Sequence, residues 1–311
     1  MTRDVQLDYW QMFTALVKLK RFAFRFSKAN LKAPPCFRYS AQCKQFMEEL
    51  FKCTKLEAIS FEHMRGFTDV SLSGIPPNRL VSLELLHTKV TEMGFLEFVE
   101  TTKKIQRLKL SFCSEDILKA LSRKCRQLQE LALCPVVNGH IGALVNYLGG
   151  RYSSKCLSKL TLRMEPCVDE NNMDKLIKGI GRHRPCLTEL SMMCEFSLSP
   201  HSAAFEFVFK RMGALKRLCL ATPVGKPLSG DLMCAIARSC CRLESLSVNY
   251  ATFDCDFLPL LFSNNARLSE LFISIPGQLT MATCKQLVHE ECKISKLFIG
   301  SLHEIREECV T

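Results

Sequence analysis

Apolar residues follow two spacings in turn along this chain, and residues 117–133 show both. Ile117, Leu121 and Cys125 lie four residues apart, the spacing that places side chains on one face of a helix. Leu131 and Leu133 then alternate with their neighbours, which is typical of a short strand with one buried face. The stretch therefore predicts an amphipathic helix followed directly by a strand.

The same arrangement returns 115 residues later, where apolar residues keep the same register up to Val248. Taking the middle apolar residue of each L-x-x-L-x-L-like strand as a marker gives eleven copies of the unit. From Ile59 onward the markers are about 26 residues apart on average, inside the range of about 20 to 29 for leucine-rich repeats. The markers are Phe22, Ile59, Leu83, Leu108, Leu131, Leu160, Leu190, Leu218, Leu246, Leu271 and Leu297.

One helix–strand unit cannot bury its apolar side alone, so we expect the copies to stack around a continuous core. The predicted fold class is α/β, a leucine-rich repeat solenoid with parallel strands on the concave face and helices on the convex face. Because helices are wider than strands, the stack is expected to curve into a horseshoe. We assign residues 1–311 to one domain, with regular repeats over residues 42–300.

The two ends depart from the repeat. Residues 1–41 are interpreted as an irregular first repeat with an insertion that contains Pro34 and Pro35, and residues 301–311 as a helical C-terminal cap. Trp10 and Phe13 precede the first strand, and the sequence offers nothing to cap them. We expect this end to be covered by further protein in a longer form or by a partner.

The segments LKALSRKCRQLQELAL and LMCAIARSCCRLESLSV resemble the cysteine-containing leucine-rich repeats of F-box proteins, in which a helix ends in Cys before x-x-L-x-x-L-x-L. The resemblance covers about residues 42–300 and weakens where Arg184, Met212 or Asn265 replaces the cysteine. It implies the substrate-binding repeats of a ubiquitin ligase receptor, whose F-box docks on the cullin adaptor. Residues 1–50 lack the L-P-x-E opening of an F-box, so cullin ligase subunits are expected as partners only if a longer form carries one.

Cysteine usage and hydropathy indicate the cellular compartment of the protein. The 18 cysteines include no C-x-x-C pair, and the chain has no N-x-S/T sequon, so we expect reduced thiols. No apolar run approaches the roughly 18 to 20 residues needed to cross a bilayer, and the first residues show no secretory signal. These features predict a cytoplasmic or nuclear protein that does not bind membranes.

Catalytic and ligand-binding motifs are missing from the sequence. It has no G-x-S-x-G, no G-x-x-x-x-G-K and no H-E-x-x-H, and the pairs His289-Glu290 and His303-Glu304 lack a second histidine. The other histidines are scattered and are interpreted as surface or capping residues. We therefore expect a protein that is not an enzyme and that holds no cofactor and no metal.

The predicted strands offer an inner surface, formed by the residues that alternate with the buried ones. Ser245, Ser247 and Asn249 are expected to be exposed there, and the neighbouring strands are basic in the middle and aromatic near the end. Arginine grips carboxylate or phosphate with two hydrogen bonds, so an acidic or phosphorylated protein segment is the expected partner. The candidate partner-binding residues are Arg107, Lys109, Glu130, Lys159, Arg163, Glu189, Arg217, Phe272 and Phe298.

Net charge and sequence motifs distinguish between three candidate functions. The leading hypothesis is a non-enzymatic protein-recognition module of the F-box receptor type. The alternative is a stand-alone scaffold or an inhibitor of ribonuclease-inhibitor type with no link to ubiquitination, which would be expected to be acidic, whereas the net charge is +11. An activator of small GTPases would need an acidic tail or an arginine loop, and neither occurs. The sequence also argues against nucleic acid, because basic runs with interleaved aromatic residues are missing.

Overall fold

The computed structural model describes residues 19–25, 40–52, 55–76, 79–150, 154–223, 225–249, 251, 257–274 and 294–300. Three sequence predictions lie outside these residues: the segment around Trp10 and Phe13, most of the proline-containing insertion, and the C-terminal cap over residues 301–311. Within the described residues, helices and strands alternate along the chain as the repeat pattern predicts.

The described strands form one parallel sheet of eleven strands in sequential order. The strands are β1 (Arg21–Arg25), β2 (Ala58–Glu62), β3 (Ser82–Leu86), β4 (Arg107–Leu110), β5 (Glu130–Val136), β6 (Lys159–Met164), β7 (Glu189–Cys194), β8 (Arg217–Ala221), β9 (Ser245–Asn249), β10 (Glu270–Ser274) and β11 (Lys296–Gly300). The helices between them are α1 (Ser40–Leu50), α2 (Asp69–Leu72), α3 (Glu92–Thr101), α4 (Glu115–Lys124), α5 (Ile141–Gly149), α6 (Glu170–His183), α7 (Ser202–Phe209), α8 (Gly230–Ser239) and α9 (Phe257–Asn264). Short 3-10 turns precede α5 and α7.

The chain divides into two compact units. The first unit consists of residues Met1–Cys134 and Gly150–Cys156, and the second of residues Pro135–Gly149 and Leu157–Thr311. The first unit therefore contains β1 to β4 and most of β5, and the second contains β6 to β11. Each unit has its own series of in-register strands.

The eleven predicted markers all occupy the second position of a strand, and they pair with one another across the sheet. In the first unit, Phe22 pairs with Ile59 and the series continues through Leu83 and Leu108 to Leu131. In the second unit, the series runs from Leu160 through each successive marker to Leu297. The prediction of strands from the repeat is therefore confirmed along the whole sheet.

Alternate burial along the strands separates the two faces of the sheet. In β3, β6 and β7 the second and fourth residues are buried, while the residues between them are exposed or half-buried. The buried strand residues and the buried residues of the helices make up the core, as a helix–strand repeat requires. Leu297 differs, since its side chain is 48% exposed on the edge strand β11.

Polar residues cap the starts of several helices, and cysteines cap the ends of two of them. Ser114 accepts a hydrogen bond from the backbone N–H of Ile117 at 3.2 Å, and Asp169 accepts one from Asn172 at 2.7 Å. At the other end, Cys125 and Cys240 are the C-caps of α4 and α8 and are buried. The sequence prediction that these cysteines lie where a helix meets the next strand is confirmed.

The expectation that Ser247 and Asn249 are exposed is wrong. They are 8% and 6% exposed, respectively, although they alternate with the core residues Leu246 and Val248 of β9. All four residues after Ser245 are buried in this strand, so both of its faces are covered there. Alternation predicts which side of the strand a residue occupies, but it does not predict whether other residues cover that side.

We predict that adjacent residues of β6 differ sharply in their contribution to stability. Leu160 is 1% exposed, so Leu160→Ala should lower the free energy of unfolding by about 2 to 5 kcal/mol through lost burial and a cavity. Thr161 is exposed, so Thr161→Ala should change it by less than about 0.5 kcal/mol. Urea denaturation measures both variants, and equal losses would contradict the assigned register.

Candidate functional site

The open face is the side of the sheet that carries the first, third and fifth residues of each strand. Most of these side chains are half-buried or exposed, in contrast to the buried second and fourth residues. All nine candidate residues predicted from the sequence lie at open-face positions, because strand side chains alternate. The structure places them in two groups, one in each unit.

In the first unit the open face brings Arg107, Lys109 and Glu130 together. Arg107 and Glu130 are register partners at the first positions of β4 and β5. The Lys109 ammonium lies 3.4 Å from a carboxylate oxygen of Glu84 on β3. Both basic residues of this group therefore have an acidic residue on an adjacent strand.

In the second unit the first strand positions form a row in which the charge alternates. Lys159 pairs in register with Glu189, and Glu189 with Arg217. The Lys159 ammonium is 3.1 Å from a carboxylate oxygen of Glu189. Ser245 follows Arg217, and Glu270 and Lys296 complete the row. Opposite charges side by side on adjacent strands stabilise the sheet by about 0.2 to 1 kcal/mol per pair.

One acidic member of this row, Glu270, is held in its charged form by its neighbours. The Lys296 ammonium hydrogen-bonds to Glu270 at 2.8 Å and lowers the pKa of that carboxyl, and Ser245 and Arg217 act in the same direction. At a fifth position, the Arg163 guanidinium lies 3.2 Å from Glu195. The sequence predicted a positive centre interrupted only by Glu130 and Glu189, and the structure adds Glu84, Glu195 and Glu270 as further carboxylates beside basic residues of the open face.

Two aromatic residues follow the charged row on the last strands. Phe272 and Phe298 are register partners at the third positions of β10 and β11, and both side chains are half-buried. They lie two residues after Glu270 and Lys296, so an aromatic pair stands beside an ion pair. Aromatic residues are enriched at the centres of protein interfaces, whereas lysine and glutamate are depleted there and polar residues form the rim.

Sequence reasoning missed Glu84 and Glu195, which balance Lys109 and Arg163. Glu84 could have been found, since the alternation in Ser82-Leu-Glu-Leu places it at the third position of β3. Glu195 could not have been found in this way, because it follows the last residue of β7. Its contact with Arg163 depends on the path of the chain after the strand.

A pair of histidines in the first unit also escaped the sequence analysis. The rings of His63 and His87 stack with centroids 4.5 Å apart and an angle of 5° between their planes. Both residues have positive φ angles, 58° and 54°, which non-glycine residues seldom adopt. Each histidine directly follows the last residue of a strand. Their spacing of 24 residues equals that of the markers Ile59 and Leu83, and this spacing was the sequence signal that could have indicated the pair.

In the described part of the chain, no group of three or more His, Cys, Asp or Glu side chains could hold a metal ion. The same residues include no helix that is long and apolar enough to cross a bilayer.

Comparison with known proteins identifies the fold of this chain. No family model matches the chain. The leucine-rich repeat-containing protein LegL7 from Legionella pneumophila shares 11% sequence identity over 91% of this chain and 93% of its own, with a TM-score of 0.53. The chain has the leucine-rich repeat fold. An identity this low carries the fold and nothing about function.

Two further leucine-rich repeat chains align less closely. The matched chain of the yeast Rad7–Elc1 complex shares 15% identity over 90% of this chain and 88% of that chain, with a TM-score of 0.48. An internalin from Listeria monocytogenes shares 14% identity over 94% of this chain and 75% of its own, with a TM-score of 0.44.

The described cysteines include a buried class and an exposed class, with Cys134, Cys219 and Cys234 intermediate between them. Burial raises the pKa of the Cys113 and Cys125 thiols to about 12, with Glu92 adding to the effect at Cys113. The pKa values of Cys194 and Cys240 are also raised by burial. A raised pKa keeps the thiol protonated and therefore unreactive. The exposed cysteines among the described residues are Cys156, Cys167, Cys186 and Cys241.

We predict that alkylation distinguishes the two classes. In native protein at neutral to mildly basic pH, iodoacetamide should modify Cys156 and Cys241 at least about tenfold faster than Cys125 and Cys240, because only the thiolate reacts. In denaturant the rates should converge. Peptide mass spectrometry measures each site separately, and rapid native labelling of Cys125 would show that the repeat core is open.

Proposed function

We propose that this chain is a non-enzymatic protein-recognition module whose partner binds the open face. The observation that carries the proposal is the row of alternating charges in the second unit, with Phe272 and Phe298 beside it. Most described side chains at open-face positions are half-buried or exposed, so the sheet presents this row as an extended surface. Leucine-rich repeats use extended surfaces of this kind for binding.

The open face combines two kinds of contact. Exposed ion pairs such as Lys159–Glu189 and Arg163–Glu195 contribute at most about 1 kcal/mol, so a partner can replace either member at little cost. Aromatic side chains and arginine supply most of the binding energy at many interfaces. We propose that Phe272 and Phe298 receive apolar side chains, while Arg163 and Arg217 receive acidic or phosphorylated ones.

The cellular role that we propose is that of an F-box-type receptor, which presents its bound protein for ubiquitin transfer by other subunits. Its support is the resemblance of the repeats around Cys125 and Cys240, both of which end a helix as that family's pattern requires. Cullin ligase subunits would join the assembly through an F-box in a longer form.

Affinity purification followed by mass spectrometry tests this role. Recovery of cullin ligase subunits with the tagged protein supports the receptor role. Recovery of one stoichiometric protein without cullin subunits supports instead a stand-alone scaffold or an inhibitor of ribonuclease-inhibitor type. Both outcomes keep the open face as the proposed binding surface, so its location needs a separate test with variants.

We predict that reversing two open-face arginines weakens binding of the purified partner. The combination Arg163→Glu and Arg217→Glu should cost about 2 kcal/mol or more, because it places repelled charge at the interface. The melting temperature should hardly change, since both side chains are exposed. Isothermal titration calorimetry measures the affinity.

The matched control reverses two exposed lysines of the same unit away from the open face. Lys175 lies on α6 and Lys226 lies in the loop before α8, and their replacement by Glu gives the same change in net charge. This control should bind normally. If it abolished binding while the arginine variant bound normally, the partner would sit outside the open face.

A further inference from the structure

Exposed basic residues of the second unit gather at the ends of its helices and in the turns that lead from each helix to the next strand. Because the strands are parallel and in register, these turns share one edge of the unit. Their exposed basic residues define what we call the basic edge. Its members are Arg182, Lys210, Arg211, Arg238, Arg242 and Arg267.

The opposite edge of the same unit has the reverse character. There the strand-to-helix turns and first helical turns carry Glu165, Asp169, Glu170, Glu195 and Asp231. Acidic residues at helix starts and basic residues at helix ends both stabilise the helix dipole, so part of this separation is structural. Arg242 and Arg267, however, lie beyond the last residues of α8 and α9, Ser239 and Asn264.

Among the described residues, Glu206 and Glu244 are the carboxylates that act on the basic edge. A carboxylate oxygen of Glu206 lies 2.7 Å from the Lys210 ammonium; Lys210 lowers the pKa of Glu206, and Arg238 adds to this effect. A carboxylate oxygen of Glu244 lies 2.8 Å from the Lys216 ammonium; Lys216 lowers the pKa of Glu244, and Arg267 adds to this effect. In this described part, two carboxylates thus face the basic residues of four successive helix-to-strand connections, whereas on the open face acidic and basic residues alternate.

Two arginines of the basic edge converge on one aromatic ring. The guanidinium carbons of Arg182 and Arg211 lie 5.8 and 5.0 Å from the centroid of Phe207. Gly181 permits this approach of α6 to α7, since a Cβ there would lie 3.0 Å from the Cα of Val208. Contact with the ring limits the freedom of both side chains, so less conformational entropy is lost when they bind an anion.

We propose that the basic edge of the second unit is a second docking surface, which binds an acidic protein segment rich in aspartate and glutamate. Charge complementarity is the basis, with Arg182 and Arg211 as the central pair. The surface is separate from the open face, because its residues lie at the ends of helices and in the turns before the strands. This proposal therefore does not depend on the proposed function.

Nucleic acid fits the basic edge less well than an acidic protein segment. Single-stranded nucleic acid binds to basic grooves in which exposed aromatic rings stack on the bases. Near the edge, Phe207 on α7 and Phe262 on α9 are half-buried, and two guanidiniums already lie over the Phe207 ring. The edge therefore offers charge without a stacking platform.

The test uses the whole chain and two labelled probes, a peptide of alternating aspartate and glutamate and a single-stranded RNA of equal charge. Fluorescence anisotropy should show that the wild-type protein binds the peptide at least as tightly as the RNA. The triple variant Arg182→Glu, Arg211→Glu and Arg238→Glu should lose about tenfold or more in peptide affinity. If it fails to fold, the same three positions changed to Gln should still lose affinity.

A charge-matched control separates the basic edge from the effect of net charge. Lys119→Glu, Lys175→Glu and Lys226→Glu change the net charge by the same amount at exposed positions outside both the basic edge and the open face, and peptide affinity should fall by less than about threefold. Equal loss in the two triple variants would overturn the proposal, since binding would then depend on overall charge. Tighter binding of RNA than of peptide would overturn it in favour of a nucleic-acid surface.

Discussion

The stacking of one apolar residue per strand, always at the second position, is the constraint on which the rest of this structure depends. Leu83 in the first unit and Leu190 in the second each lie between register partners of the same kind. A strand that slipped by one residue would turn its apolar residues to the open face and its charged residues into the core. The register therefore fixes which side chains a partner can reach.

The strands could be predicted from the sequence because this constraint leaves a periodic trace. The caps at Ser114 and Asp169 and the cysteines at Cys125 and Cys240 leave local traces as well. The ion pairs leave no such trace. Lys159 and Glu189 are 30 residues apart, and their contact depends on register and side-chain conformation together. For the same reason the burial of Ser247 and the stacking of His63 on His87 needed the structure.

Charge is organised in two different ways in the second unit. Along the first positions of the strands it alternates, so each carboxylate has basic neighbours and the field at a distance is weak. Along the direction of the strands the charge is segregated. Acidic residues lie at the starts of the helices, at one edge of the unit, and basic residues lie at the ends of the helices, at the opposite edge. A net charge of +11 for the whole chain describes neither arrangement. The position of a charged residue within its repeat therefore determines whether a partner meets it in the alternating row or at a segregated edge.

Segregation follows from the direction of the chain in a parallel repeat. Every strand runs the same way, so every helix returns the opposite way, and the positive ends of the helix dipoles lie at one edge. Acids near Glu170 and bases near Arg182 each gain only about 0.3 to 1 kcal/mol from that dipole, but the preference acts at the same edge in every repeat. In an antiparallel bundle the same local preference would mix the signs at each end. In a parallel repeat, charges of one sign instead accumulate at one edge. A binding surface for a partner of the opposite charge can form at that edge without a change of fold.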